Sequence, residues 1–526
     1  MAVFTAFCIT IGALCLRLYV LCTKGTEYVS SAGHYFTVDA GLIRGKILDC
    51  NGESLVDEDY ENIAVLKPTM KAYSSVLNVV DSEMLENIKE RMKKGNCTAA
   101  NIGKLEFEQN SDALMLKKRL RYSKNQPARH IIGYVDGEGR GVTGLEKSFD
   151  DLLYTGKTLN VRFPADPYGR IISGGTADIQ NTNLKTASVT LTIDKEIQQI
   201  TENALDLYDA RQGGAVVADV KTGAIRALVS RPDYDTDNLS QYIEADGSPM
   251  VNRCLGAYAV GSVFKAAVVS AALENGIYDF DYTCNGTCNV DGITFGCNNR
   301  KAHGKLNMQK ALECSCNTYF VNLAIKIGGD KLLETVKNFG FGQEIRLCEG
   351  ITADSGALPT SDELKKSGSL ANFSFGQGTF SASALQMVQL FSAIAGRGRY
   401  VAPYLVEKTA TADGTEQMHK AKYPVIALQS STAERLTEML VSVVEKGNGK
   451  NAKLENGIKA AGKTATAQTG AYNKYGVEIC NTWFCGFFPA QEPEYVIVIM
   501  KQGGSSGAED CAPIFKKIAD KISEFN

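Results

Sequence analysis

Ser262 and Lys265 stand three residues apart in Gly261-Ser262-Val263-Phe264-Lys265-Ala266-Ala267 and lead into a run of small apolar residues. The spacing predicts a helix opening at Ser262, because residues i and i+3 share a helix face. A hydroxyl and an amine so placed can serve as nucleophile and base. Serine is a weak nucleophile at neutral pH until a base takes its proton. A lysine among apolar neighbours has a lowered pKa, which suits it to that task. Backbone N–H groups at the helix start add partial positive charge near an attacked carbonyl. Such a pair is common by chance, and its weight here comes from two further stretches in order. Ser315-Cys316-Asn317 follows, and then Lys463-Thr464-Ala465-Thr466.

The order S-x-x-K, S-x-N, K-T-x resembles the set found in penicillin-binding transpeptidases. Other stretches are similar to the monofunctional class B kind. Arg44-Gly45-Lys46-Ile47-Leu48-Asp49-Cys50-Asn51-Gly52 reads as a strand and an Asn-Gly hairpin turn, and it resembles the opening of class B pedestal domains, with Cys50 where arginine is usual. Gly141-Val142-Thr143-Gly144-Leu145-Glu146 resembles the region before the transpeptidase domain. The stretch before Arg44 is too short for a glycosyltransferase domain, which argues against the bifunctional kind.

The resemblance implies an α/β (α+β) multidomain chain: an antiparallel sheet flanked by helices, with a helical lobe, on an elongated N-terminal pedestal. The expected divisions are a membrane anchor over 1–23, a pedestal over 24–182 and a transpeptidase domain over 183–526. Residues 82–94 have the apolar spacing of an amphipathic helix. Residues 195–208 read as a helix, and 214–230 as strand, turn, strand. Residues 1–23 are almost wholly apolar, and about 20 such residues span a bilayer. Arg17 interrupts the run near its end. There is neither a basic start nor a small-residue cleavage site, so a retained helix is expected; its orientation is not readable from the flanking charges, and it is the resemblance that implies a catalytic domain outside the cytoplasm. Near-neutral net charge, −3, gives no nucleic-acid footprint. Four histidines leave few candidates for Ser-His-Asp chemistry.

Carried over residue by residue, the resemblance makes Ser262 the nucleophile and Lys265 its base. Ser315 relays protons to the leaving amine, and Asn317 orients Lys265 and the substrate amide. Lys463 offers charge to the substrate carboxylate, Thr464 and Thr466 offer hydroxyls, and the backbone N–H groups of Ser262 and Thr466 form the oxyanion hole. Ala465 stands where the family has glycine, so a methyl group enters the strand; the mild outcome is slower acylation and the severe one an inactive homologue. Val260 stands where proline is usual.

The implied activity is D,D-transpeptidation of stem peptides ending in D-Ala-D-Ala, with β-lactams as inhibitors and a polytopic membrane glycosyltransferase as partner. A β-lactamase or β-lactam sensor, a D,D-carboxypeptidase and a non-catalytic scaffold are the rival readings. No cofactor is expected. Between the first two motifs lie Cys284, Cys288, Cys297 and His303, whose residue types suit zinc. Their spacings fit no common zinc pattern; a disulfide, with Cys284–Cys297 as the pairing, is expected ahead of a metal site, and free thiols ahead of both. The fifteen cysteines are odd in number and scattered, and do not fix the redox compartment.

Overall fold

A computed structural model describes residues 2–31, 34–168, 170–172, 174–419 and 423–525, without the side chains of 2–3 and 21–31. The chain divides into two compact units. Residues 1–45, 56–123 and 154–186 form the first, and 46–55, 124–153 and 187–526 the second.

The first unit begins with helix α1 (Ala2–Ser31). Its residues 4–20 are exposed, with Phe4, Phe7, Ile9, Leu14 and Leu16 presenting apolar surface. Among the described residues no helix is long and apolar enough to cross a membrane, so the span expected over 1–23 is a helix but not an established anchor. Three antiparallel strands, His34–Arg44, Tyr154–Ala165 and Asp178–Gln180, make one sheet. Asp59–Leu66 is the centre of another, between Thr98–Asn101 and Ala113–Leu120. The helix predicted over 82–94 forms at Ser82–Lys93. The Asp81 carboxylate caps it, accepting from Met84 N at 2.8 Å. Its Ile88 joins a core with Leu66, Val76 and Ile102.

The second unit is built on strands β1 (Gly213–Asp219), β2 (Ile225–Arg231), β3 (Ala461–Tyr472), β4 (Glu478–Phe488) and β5 (Tyr495–Gln502). They form one antiparallel sheet in the order β2-β1-β5-β4-β3, which leaves β3 at an edge. The predicted strand–turn–strand over 214–230 is β1 and β2. The Asp219 carboxylate accepts from Lys221 N and Thr222 N, both at 2.9 Å, and so fixes the turn.

The helices that position the site are α2 (Lys195–Leu207), α3 (Lys265–Glu274), α4 (Asn317–Ile327), α5 (Ala384–Ala395) and α6 (Ala512–Ser523). α2 and α6 cover one sheet face. Ile197, Leu205, Val217, Val229, Ile499 and Phe515 share the core between them; full burial of each such side chain stabilises by about 1.5–3 kcal/mol. α5, buried along its whole length, packs on β1, β4 and β5. The alternate residues Val216, Val498 and Phe487 are fully buried as well, which places α5 on the opposite face.

The Asn51-Gly52 turn forms, with Gly52 N–H donating to Asp49 O at 3.1 Å. The strand before it takes a more distant partner than a simple hairpin predicts. Lys46–Leu48 pairs in parallel with Ser188–Leu191, which pairs on its other side with Val406–Ala410.

Candidate active site

Ser262 lies in a 3₁₀ turn, Gly261–Phe264, and α3 begins at Lys265. The helix expected to open at Ser262 is therefore wound more tightly over its first turn. In a 3₁₀ turn residues i and i+3 eclipse, so the lysine is still set on the side of the serine. Gly261 has φ +61°, and a Cβ there would stand 3.0 Å from Ala467 Cβ on β3. Glycine thus meets both a left-handed backbone and a close approach to the edge strand. Gly261 N–H donates to Gly376 O at 3.0 Å. The Gly376-Gln377-Gly378 turn is the other jaw of this clamp.

Residues 265–273 of α3 are all buried, Lys265 included. Its ammonium donates to Ser315 O at 2.8 Å, Ser315 Oγ at 3.2 Å and Asn317 Oδ1 at 2.7 Å. The amine expected beside Ser262 is therefore turned towards the second motif. Among the described residues it makes no hydrogen bond with the Ser262 hydroxyl. Burial lowers its pKa to about 8, against a smaller opposite effect from Cys316 and Cys297.

Lys463 reaches the same serine from β3. Its ammonium donates to Ser315 Oγ at 3.1 Å and to Thr464 O at 2.9 Å. Burial, and then the charge of Lys265, hold its pKa well below the usual lysine value. One hydroxyl oxygen thus bridges two buried amines drawn from elements some 200 residues apart in the chain. Ser315 holds this position with φ +54°. Asn317, at the start of α4, donates from Nδ2 to Gly296 O at 3.0 Å.

By strand alternation Lys463, Ala465 and Ala467 share one face of β3, and Thr464 and Thr466 the other. The Ala465 methyl is accommodated, with the residue 4% exposed. Behind its backbone lies Gly507, where a Cβ would come within 2.4 Å of Ala465 O. Thr464 is buried and Thr466 exposed, and the Thr466 hydroxyl oxygen accepts from Gly507 N at 3.4 Å. β3 packs on the 3₁₀ turn of Ser262, which brings the backbones of Ser262 and Thr466 to one edge. Trp483 on β4, the only tryptophan of the chain, donates from Nε1 to Ala259 O at 3.0 Å and so fixes the approach to the nucleophile. Nothing in the sequence beyond its rarity pointed to that role. A cleft of about 340 Å³ beside Ala259 is lined by Tyr258, Gln377, Gln468, Asn481 and Gln502. Gln377, Gln468, Asn481 and Gln502 line it with amides, each able to donate and accept hydrogen bonds.

The candidate Cys284–Cys297 disulfide does not form, and the thiols are free, the leading reading of the sequence. The two Sγ atoms are 3.7 Å apart, against about 2.05 Å for an S–S bond, and the described cysteines are all free. The two sulfurs instead lie in a group with His303 and Cys316. Cys288, which the sequence placed with them, is not a member.

A nucleophile on a tight turn, a buried amine at i+3 and a second amine sharing one serine define the serine–lysine acyl-transfer class of protein. Residues 213–520 match the family described as penicillin binding protein transpeptidase domain, and the chain belongs to that family. It is similar to stage V sporulation protein D of Bacillus subtilis, with 29% identity over 488 residues that cover 87% of this chain and 73% of the relative. It is also similar to penicillin-binding protein PbpB of Mycolicibacterium smegmatis, with 31% identity over 427 residues, 76% of this chain and 64% of the relative. Among solved structures, the D,D-transpeptidase domain of a peptidoglycan glycosyltransferase from Eggerthella lenta shares the fold. Its TM-score is 0.66 at 24% identity, over 93% of this chain and all of that one.

Proposed function

We infer that this protein is a serine D,D-transpeptidase that cross-links peptidoglycan stem peptides through an acyl-enzyme on Ser262 and is acylated by β-lactams. The observation that carries the reading is Ser315 Oγ held 3.2 Å from Lys265 Nζ and 3.1 Å from Lys463 Nζ, beneath a serine on a 3₁₀ turn. Ser262 Oγ attacks the carbonyl between the two terminal D-alanines, and the neutral Lys265 amine takes its proton. Backbone N–H groups of Ser262 and Thr466 meet the developing oxyanion. The proton passes through Ser315 to the departing D-alanine. An amine from a neighbouring stem then attacks the acyl-enzyme and releases Ser262. Lys463 supplies positive charge for the substrate carboxylate, Thr464 and Thr466 on the other face of the strand supply hydroxyls, and Asn317 holds Lys265 and the substrate amide.

The exposed apolar surface of α1 supports a membrane anchor; an extracytoplasmic catalytic unit and a polytopic glycosyltransferase partner are what the family resemblance adds to this reading. The test is labelling of the purified full chain with a fluorescent penicillin, beside Ser262→Ala. Stable label that vanishes in the variant is expected. Label that decays within minutes would identify a β-lactamase, and a folded protein that takes no label would leave a scaffold.

A further inference from the structure

Four potential ligands converge beside the second motif. Cys284 ends the strand Tyr282–Cys284. Cys284 pairs with Gly304, and so brings His303 alongside. Cys297 follows the strand Ile293–Gly296, and Cys316 is the N-cap of α4. Their ligand atoms all lie within 4.8 Å of one another. Cys284 Sγ is 3.7 Å from Cys297 Sγ and 3.4 Å from His303 Nδ1, and Cys297 Sγ is 3.6 Å from Cys316 Sγ. A tetrahedral ion with Zn–S about 2.3 Å and Zn–N about 2.0–2.1 Å has S···S edges of about 3.8 Å and S···N edges of about 3.6 Å. Three of the six edges are thus already close to those lengths, and the rest close with a contraction of at most about 1.2 Å.

The surroundings suit thiolates. Cys284 and Cys316 are fully buried and Cys297 is 6% exposed. Gly286 N–H donates to Cys284 Sγ at 3.4 Å, and Tyr319 N–H to Cys316 Sγ at 3.4 Å. The Thr318 hydroxyl is 3.2 Å from Cys284 Sγ, 3.3 Å from Cys316 Sγ and 3.7 Å from Cys297 Sγ. Donors aimed at sulfur stabilise its anionic form, yet three buried thiolates need a cation beside them. Three sulfurs and an imidazole nitrogen in a closed tetrahedral set select zinc. The ligand atoms are too close together to enclose an iron–sulfur cluster with its own sulfides.

We propose that Cys284, Cys297, His303 and Cys316 bind one structural zinc ion that pins the second catalytic motif. Binding releases the three thiol protons and takes the imidazole as the neutral base. Cys316 lies between Ser315 and Asn317, the two residues that hold Lys265. Ser315 has the left-handed φ of +54°, which costs free energy in a non-glycine residue. The ion ties its neighbour to the 284–303 segment, where Asn317 already bonds Gly296 O, and so holds that turn in place. All four ligands act as positioning residues and none touches substrate.

The experiment is metal analysis of the full chain purified without chelator, with cobalt(II) exchange as the spectroscopic readout. The expected result is about one zinc per chain, and cobalt bands of a tetrahedral thiolate site. Cys284→Ser and Cys316→Ser lose both, while Cys288→Ser keeps both. For wild type, stripping the metal should slow fluorescent-penicillin labelling by more than about tenfold, and added zinc should restore it. Zinc below about a tenth of an equivalent, zinc retained by Cys316→Ser, or a Cys284–Cys297 disulfide found by mass spectrometry would each overturn the proposal. Zinc content is read without reference to acylation, so a protein that bound zinc but took no penicillin would count against the transpeptidase reading alone.

Discussion

Lys265 and Lys463, both fully buried, share the Oγ of half-buried Ser315. With its pKa lowered from 10.5 to about 8, Lys265 is neutral in about a tenth of molecules at pH 7. A lowered lysine pKa means that the active, neutral form grows as pH rises. The rate of β-lactam acylation should therefore climb through about pH 8 and level off above it, read from labelling rates across a pH series. A climb that continued to pH 10 would deny the lowered pKa. Ser315→Ala removes the shared acceptor and leaves two buried amines short of a partner. It should cost about 1–3 kcal/mol of stability in a denaturant melt and slow acylation by about 10²-fold or more. The chemistry-bearing residues were legible in the sequence because each is a side chain of distinctive type at a fixed spacing. The cysteine group was only half legible. Cys284, Cys297 and His303 drew notice, but Cys316 was read as the variable middle of a motif. Its membership depends on where the cap of α4 points, which no spacing reveals.

At the scale of elements, the site is a turn clamped between an edge strand and a loop. Gly261→Ala would force a left-handed φ on alanine, at about 1–2 kcal/mol, and press a methyl group against Ala467. The expected result is a lower melting temperature together with slower labelling, since the strain falls on the residue before the nucleophile. Ala465→Gly should behave differently. The methyl is already seated on β3, so its loss should lower stability by about 0.5–1 kcal/mol through strand entropy and leave the acylation rate within a few-fold of wild type. A large gain in rate would show that alanine there does crowd the site. The sequence indicated the strand and helix identities well, since alternation and capping residues are local signals. It indicated an α-helix at Ser262 where the chain makes a 3₁₀ turn. That turn lies against Gly376 and Ala467, more than a hundred residues away, and local spacing carries no sign of them.

At the scale of the molecule, the second unit includes residues 46–55 and 124–153. Ile47, Leu55, Ile131, Ile132 and Leu145 are fully buried there. A fragment starting at residue 187 should therefore aggregate more than one starting at residue 34, because Ser188–Leu191 would lose Lys46–Leu48 and become an open strand edge; size-exclusion chromatography of the two would decide it. This interleaving leaves no mark in local sequence, because a strand of three residues carries too little pattern to name its partner. Its cost is paid in time. Lys46–Leu48 is made early, yet it waits for Ser188–Leu191, and that strand waits for Val406–Ala410. At about 5–20 residues per second, the earliest of the three stands unfinished for roughly 20–70 s. Through that interval the nascent chain depends on whatever shields it, and the catalytic unit is completed only after most of the polypeptide has emerged.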